Sequence, residues 1–237
     1  MRDTDIALPE GIHRAGPQQA RKLGAITADA FRHDPFNLWL FGNFAGIENL
    51  FQLQAKRIYA PRGFCYTAGN EGACMWMLPG GDNSFGLADY AAFLAPTLLR
   101  CGPRAVRRGI RTGKLMERRH PRFQHAYLFS IGVGATSRGT GLGRRLIRPV
   151  LDACDLAVEH GADDVAPIRA SLVQALETAG LEVLDPDGEP FDPNRHEAVL
   201  HEPAADGDEG QVVAEVLRRG YAWEGRVLRP AMVRVRG

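Results

Sequence analysis

Tyr221-Ala222-Trp223 and Arg226-Val227-Leu228 flank Glu224-Gly225 near the end of the chain. A two-residue link between two strand-like runs closes as a tight hairpin, because only the primed turns match the twist of the strands. Val233 and Val235 alternate with Arg234 and Arg236, the period-two pattern of a strand with one buried face. Pro230 has no N–H and fits only an edge or a bulge. Asp185-Pro186-Asp187-Gly188 and Phe191-Asp192-Pro193-Asn194 have turn composition, and His196-Glu197-Ala198-Val199-Leu200 runs into a further strand. The stretch from Gly188 to Val235 therefore predicts a small β-barrel. His196 has no second metal ligand at a usable spacing, so a structural hydrogen-bonding role is expected. Asp206 to Glu209 read as a solvated acidic loop, with cation chelation as the lesser alternative. A module with no nucleophile, no paired carboxylates and no phosphate loop is expected to work by presenting a surface.

The rest of the chain has a different grammar. Ile12 to Ala15 suits a short strand, and Pro17 stands where a helix would begin. Ala20, Leu23, Ile26, Ala30 and Phe31 recur at helical spacing, and Asp34-Pro35 should stop that helix. Phe36, Leu38, Trp39, Leu40 and Phe41 are expected in the core, with a substrate lid as the alternative. A second helix is predicted over Ile47 to Ala60. Two strands, Gly63 to Ala68 and Gly72 to Pro79, are joined at Gly69-Asn70. Residues 84–119 read as a helical segment rich in Arg104, Arg107, Arg108, Arg111, Lys114, Arg118 and Arg119. A solvated face is expected there in preference to a phosphate-binding groove.

Ala126 to Val133 is a nearly continuous apolar run, which suits a strand buried on both faces. A glycine-rich turn follows and opens an amphipathic helix carrying Leu146, Ile147, Val150, Leu151 and Cys154. Helix N-termini present unpaired N–H groups and partial positive charge, so phosphate binds there if the backbone is accessible. Gly141 and Gly143 remove obstructing side chains, and the amides from Gly139 through Leu142 to Arg144 could cradle a pyrophosphate, with Arg138 and Arg144 adding charge.

Arg138, Gly141 and Gly143 satisfy the Gln/Arg-x-x-Gly-x-Gly/Ala signature, and residues 12–155 resemble GNAT N-acetyltransferases. That resemblance implies an acetyl-CoA site in which backbone around Ile131 and Val133 pairs with pantetheine, and a small-molecule amine as acceptor. The sequence departs from the family downstream. Leu176 stands where the family's proton-donating Tyr would be, Leu181 where its Phe would be, and Pro167 disfavours a strand at Val165 to Ile168. No residue is assigned as catalytic; Glu71 and His125 are the reachable alternatives, each expected to be a surface residue.

The stretch from Val165 to Leu184 also fits a helix, with Val165, Ile168, Leu172, Leu176 and Ala179 at helical spacing and Gly180 as its stop. Read so, it leads into GEPFDPNRHEAVLHEP and GQVVAEVLRRGYAWEGRVLRPAMVRV, which closely resemble the β-domain of GrpE, the nucleotide exchange factor of DnaK-type chaperones. The resemblance implies docking on the chaperone ATPase domain, with Arg226, Arg229 and Met232 facing that partner. The long paired helix that makes a GrpE dimer has no heptad counterpart here, so a homodimer would lack it.

An α+β chain is expected: a mixed-sheet GNAT-like region over 1–160, incomplete after its cofactor loop, then a helix and a small all-β GrpE-type domain over 161–237, the seam falling near 155–165. The leading functional expectation is nucleotide exchange on a chaperone. The rival is a CoA-dependent amine N-acetyltransferase with an accessory tail. With 29 basic and 28 acidic residues, neither nucleic acid nor membrane is favoured by bulk charge. MRDTDIALPEG has no apolar core and the four cysteines form no CxxC pair, so a reduced, cytoplasmic protein without a bound metal is expected.

Overall fold

The structure is a computed structural model that describes residues 8–78, 81, 84–120, 125–204 and 210–237. The chain divides into two compact units, one ending at Ile168 and the other beginning at Arg169.

The first unit is built on an antiparallel sheet in the order β1 (His13–Arg14), β2 (Phe64–Ala68), β3 (Gly72–Met77), β4 (Tyr127–Val133). The link between β2 and β3 leaves Gly69, Asn70 and Glu71 outside the Ala68–Gly72 pair. Helix α1 (Ala20–Ala30) buries Ala20, Leu23, Gly24, Thr27 and Ala28, the three-and-four spacing of one face. Asp34 does not merely end it. Its carboxylate accepts from the Asn37 amide at 2.8 Å and caps α2 (Pro35–Phe41), with Pro35 at the first helical position. Asn43 caps α3 (Phe44–Gln54) in the same way. The expected second helix continues through a π turn at Ala55–Tyr59 into α4 (Ala60–Arg62). The core gathers Leu23, Ala28, Ile47, Phe51, Ala55, Ile58 and Met75, with Phe51 5.1 Å from Phe31 and 6.0 Å from Phe129 between ring centroids.

Three expectations are corrected here. Of the Phe36–Phe41 cluster only Leu40 and Phe41 are buried; Phe36 and Trp39 are 50% and 51% exposed, because a seven-residue amphipathic helix has one inward face. Strand β4 is not buried on both faces: Ser130 and Gly132 are buried and its other residues are half-buried, because it is the edge of the sheet. Helix α5 (Leu87–Arg119) is broken at Gly102, whose φ of 79° belongs to the left-handed region. Its basic second half buries only Ala105, which makes it the expected solvated face.

Helix α6 (Leu142–Glu159) packs on β2, β3 and β4 through Leu146, Val150 and Leu151. Helix α7 (Ala166–Thr178) takes up Ala166 to Ile168 in preference to a strand, with Val165 in the turn before it and Pro167 in the first helical turn, where no N–H is needed. None of the four cysteines is in a disulfide. Pro79-Gly80, residues 121–124 and the acidic loop at 206–209 lie outside the described residues.

The second unit holds two three-stranded sheets. One runs β5 (Leu181–Leu184), β8 (Gly220–Trp223), β9 (Arg226–Arg229). The other runs β6 (His196–Glu202), β10 (Ala231–Arg236), β7 (Val212–Arg218). The expected barrel is thus two open sheets around Leu184, Val213, Ala222, Ala231, Val233 and Val235. Glu224 and Gly225 have φ of 47° and 77° between the paired Trp223 and Arg226, a type I′ link. Pro230 lies between β9 and β10, where the chain passes from one sheet to the other. A Cβ at Gly220 would come within 2.4 Å of the Ala231 nitrogen, so glycine is what allows that passage.

Candidate functional sites

The first site is the turn between β4 and α6. Gly139 and Gly141 have φ of 77° and 85°, a conformation that disfavours side chains. A Cβ at either would meet nothing within 4 Å, so the approach to both is open. At Gly143 a Cβ would make ordinary contact with Val133 and Ile131, at 3.7 and 3.8 Å. Gly141 caps α6 without a side chain, so the first-turn amides of Leu142, Gly143 and Arg144 have no helical acceptor. Leu142 is buried and anchors the helix start, while Ile131, Val133 and Arg144 are half-buried. Arg138 is exposed but drawn backwards: its Nη2 donates to the Ala30 carbonyl at 3.2 Å and its Nε to the Val133 carbonyl at 3.5 Å. An open helix start with unpaired amides is a place where an anionic group can be received. Beyond β4, no described strand of this unit supplies a second wall. Leu176 is buried on a helix and supplies no proton.

Glu71 holds this turn in place. Its Oε2 accepts from Thr136 Oγ1 at 2.8 Å and from Ser137 Oγ at 2.9 Å, and its carbonyl accepts from the Gly134 amide at 2.7 Å. The hydrogen bond from Thr136, then that from Ser137, lowers its pKa. The carboxylate thus anchors the turn through one of its oxygens. The Gly72–Val133 pairing, which brings the hairpin tip to the end of β4, explains this role. His125 lies elsewhere, 4.8 Å from His120 and 6.4 Å from Tyr127 between ring centroids. Tyr127 and Val133 are at opposite ends of β4, about 20 Å apart at strand rise.

The second site is the surface of the two-sheet unit. Arg226 is exposed and Met232 half-buried. Arg229 is turned inward: it is 3% exposed, its Nη2 donates to the Arg219 carbonyl at 2.7 Å, and its guanidinium lies 4.8 Å from the Tyr221 ring centroid. Arg169 on α7 donates to the Tyr221 hydroxyl at 2.8 Å, so two arginines clasp one buried tyrosine. No spacing in the sequence marks Arg169. His196 has the structural role expected of it. Its Nδ1 accepts from the Asp192 amide at 3.1 Å, and burial lowers its pKa, favouring the neutral ring that such an acceptor requires. Among the described residues no group of three or more His, Cys, Asp or Glu could hold a metal ion.

These placements separate two arginines that lie three residues apart. Arg229→Ala removes a buried donor and its packing on Tyr221, and should destabilise the unit by about 2–3 kcal/mol in urea unfolding. Arg226→Ala should change stability by less than about 0.5 kcal/mol, so any functional loss it brings is a surface effect.

Residues 148–237 match the family model described as GrpE. Protein GrpE of Paraburkholderia phymatum is 45% identical over 94 residues, covering 37% of this chain and 46% of that relative. Protein GrpE of Staphylococcus aureus strain JH9 is 39% identical over 98 residues, covering 38% and 47%. The chain therefore spans about half the length of the curated relatives it matches. A solved structure of histone acetyltransferase HPA2 and related acetyltransferase from Corynebacterium glutamicum is similar at a TM-score of 0.41 and 20% identity, covering 77% of this chain and 88% of that one. The C-terminal region is thus GrpE-like in sequence. The match begins within α6, upstream of the seam expected at 155–165. No described helix is long and apolar enough to cross a membrane.

Proposed function

We propose that this chain is an adenyl-nucleotide exchange factor for a DnaK-type chaperone, acting through its two-sheet unit. The observation that supports this most is the GrpE match over 148–237, which runs through every strand of that unit. The action is a population shift: docking favours an open nucleotide cleft, and the open cleft holds ADP poorly. Arg226 and Met232 are the expected contacts, one a cation and one a flexible apolar side chain. Arg229 positions them from below by fixing β9 to β8. Linkage supplies the test. If docking weakens ADP, then ADP weakens docking by the same factor. Calorimetry of the full chain against a nucleotide-free chaperone ATPase domain should show binding that saturating ADP weakens about tenfold or more. Equal affinity with and without ADP would remove the reading.

A second reading concerns the first unit and rests on β4 running into a turn with two left-handed glycines at an open helix start. In it, Gly139 to Arg144 hold the diphosphate of acetyl-CoA, and Ile131 and Val133 offer backbone to the pantetheine arm. When bound, acetyl-CoA supplies an activated acyl group for an amine. Calorimetric titration of the chain with acetyl-CoA should then give heat, lost in Gly141→Trp, which fills the open approach. Silence in the first titration, or retained binding in the variant, counts against it.

A further inference from the structure

We propose that the second half of α5 is a docking surface for an anionic lipid bilayer. Between Arg104 and Arg119 the helix carries Arg104, Arg107, Arg108, Arg111, Lys114, Arg118 and Arg119 against the single carboxylate Glu117. The whole chain is only +1, so this charge is local and the remainder is net negative. Helical spacing sorts it. Arg104, Arg108, Arg111 and Leu115 follow at four, three and four residues and form one ridge; Arg107, Lys114 and Arg118 form the next. Buried Ala105 lies on the side of the helix opposite the second ridge. None of the seven cations has an ion pair to a carboxylate among the described residues.

Apolar groups project from the same face. Leu115 is 57% exposed in line with the first ridge. Trp39, 6.0 Å from Phe36 between ring centroids, stands beside Arg108 of that ridge. Arg108 fixes that junction: its Nη1 donates to the Trp39 carbonyl, and its guanidinium lies 5.0 Å from the Trp39 ring centroid. Cations interleaved with an exposed indole, a phenyl ring and a leucine match the boundary between headgroups and acyl chains. A duplex fits less well. Its interfaces are polar, and it gives exposed apolar side chains no dry place to go. A bilayer meets one face only, so the net-negative remainder is no obstacle. The helix lies on the surface and does not span it.

The test uses the full chain in flotation assays with vesicles of phosphatidylcholine and phosphatidylglycerol, with vesicles of phosphatidylcholine alone, and with a duplex DNA competitor at equal phosphate. Binding should appear with the anionic vesicles only and be released by salt. It should fall at least about tenfold in the variant Arg107→Glu/Lys114→Glu/Arg118→Glu, whose far-UV circular dichroism stays unchanged. Trp39 fluorescence should shift to the blue on binding. Absence of binding to anionic vesicles, equal binding to neutral ones, retention by the charge-reversed variant, or displacement by DNA would overturn the proposal.

Discussion

Val233→Asp is expected to unfold the two-sheet unit. Val233 is fully buried in β10, the central strand of its sheet, between Val216 of β7 and Ala198 of β6. Its neighbours in the core are apolar, so an introduced carboxylate finds no partner and must either stay charged in a dry site or take up a proton. We expect a cost of at least about 4 kcal/mol, comparable with the whole stability of a small unit. Hydrogen exchange should show the β5–β10 amides at unprotected rates, and binding to the chaperone ATPase domain should vanish. Protected amides in these strands would show that the core is not where the structure puts it.

Phe51→Ala should have the largest effect in the first unit. The ring is buried between Phe31 and Phe129, and Phe129 also stacks on Tyr59 at 4.6 Å. Truncation leaves a cavity that rigid helices cannot close, at about 3–5 kcal/mol. For a unit of this size the melting transition should fall by about 8–15 °C. The loss also reaches the glycine turn, since Phe129 helps to seat β4, which carries that turn at its far end. Unchanged melting would mean that the three aromatics do not form one core.

What was legible in advance was local. Glu224-Gly225 dictates a two-residue link by its own backbone preferences, and the structure closes it as type I′. The alternation around Val233 and the helical period through α7 likewise need no distant partner to be read. What was not legible depends on neighbours. Whether β4 is central or at an edge is decided by the absence of a flanking strand among the described residues, not by its own apolar run. Arg229 turns inward because β8–β9 pairing sets it opposite Tyr221, a cross-strand fact invisible from the RVLRPAM segment alone. Glu71 became an anchor only when pairing brought its hairpin tip to the end of β4. The break at Gly102 has a local signal, Gly102-Pro103, inside a segment that reads as continuous helix over residues 84–119.

The central claim is that the second unit grips a chaperone ATPase domain and loosens its hold on ADP. Release of fluorescent ADP from a DnaK-type chaperone, followed by stopped flow while the full chain is titrated in, measures this directly. The account predicts a release rate that rises with chain concentration and saturates, and that needs more of Arg226→Ala to reach the same value. A release rate independent of added chain would contradict it.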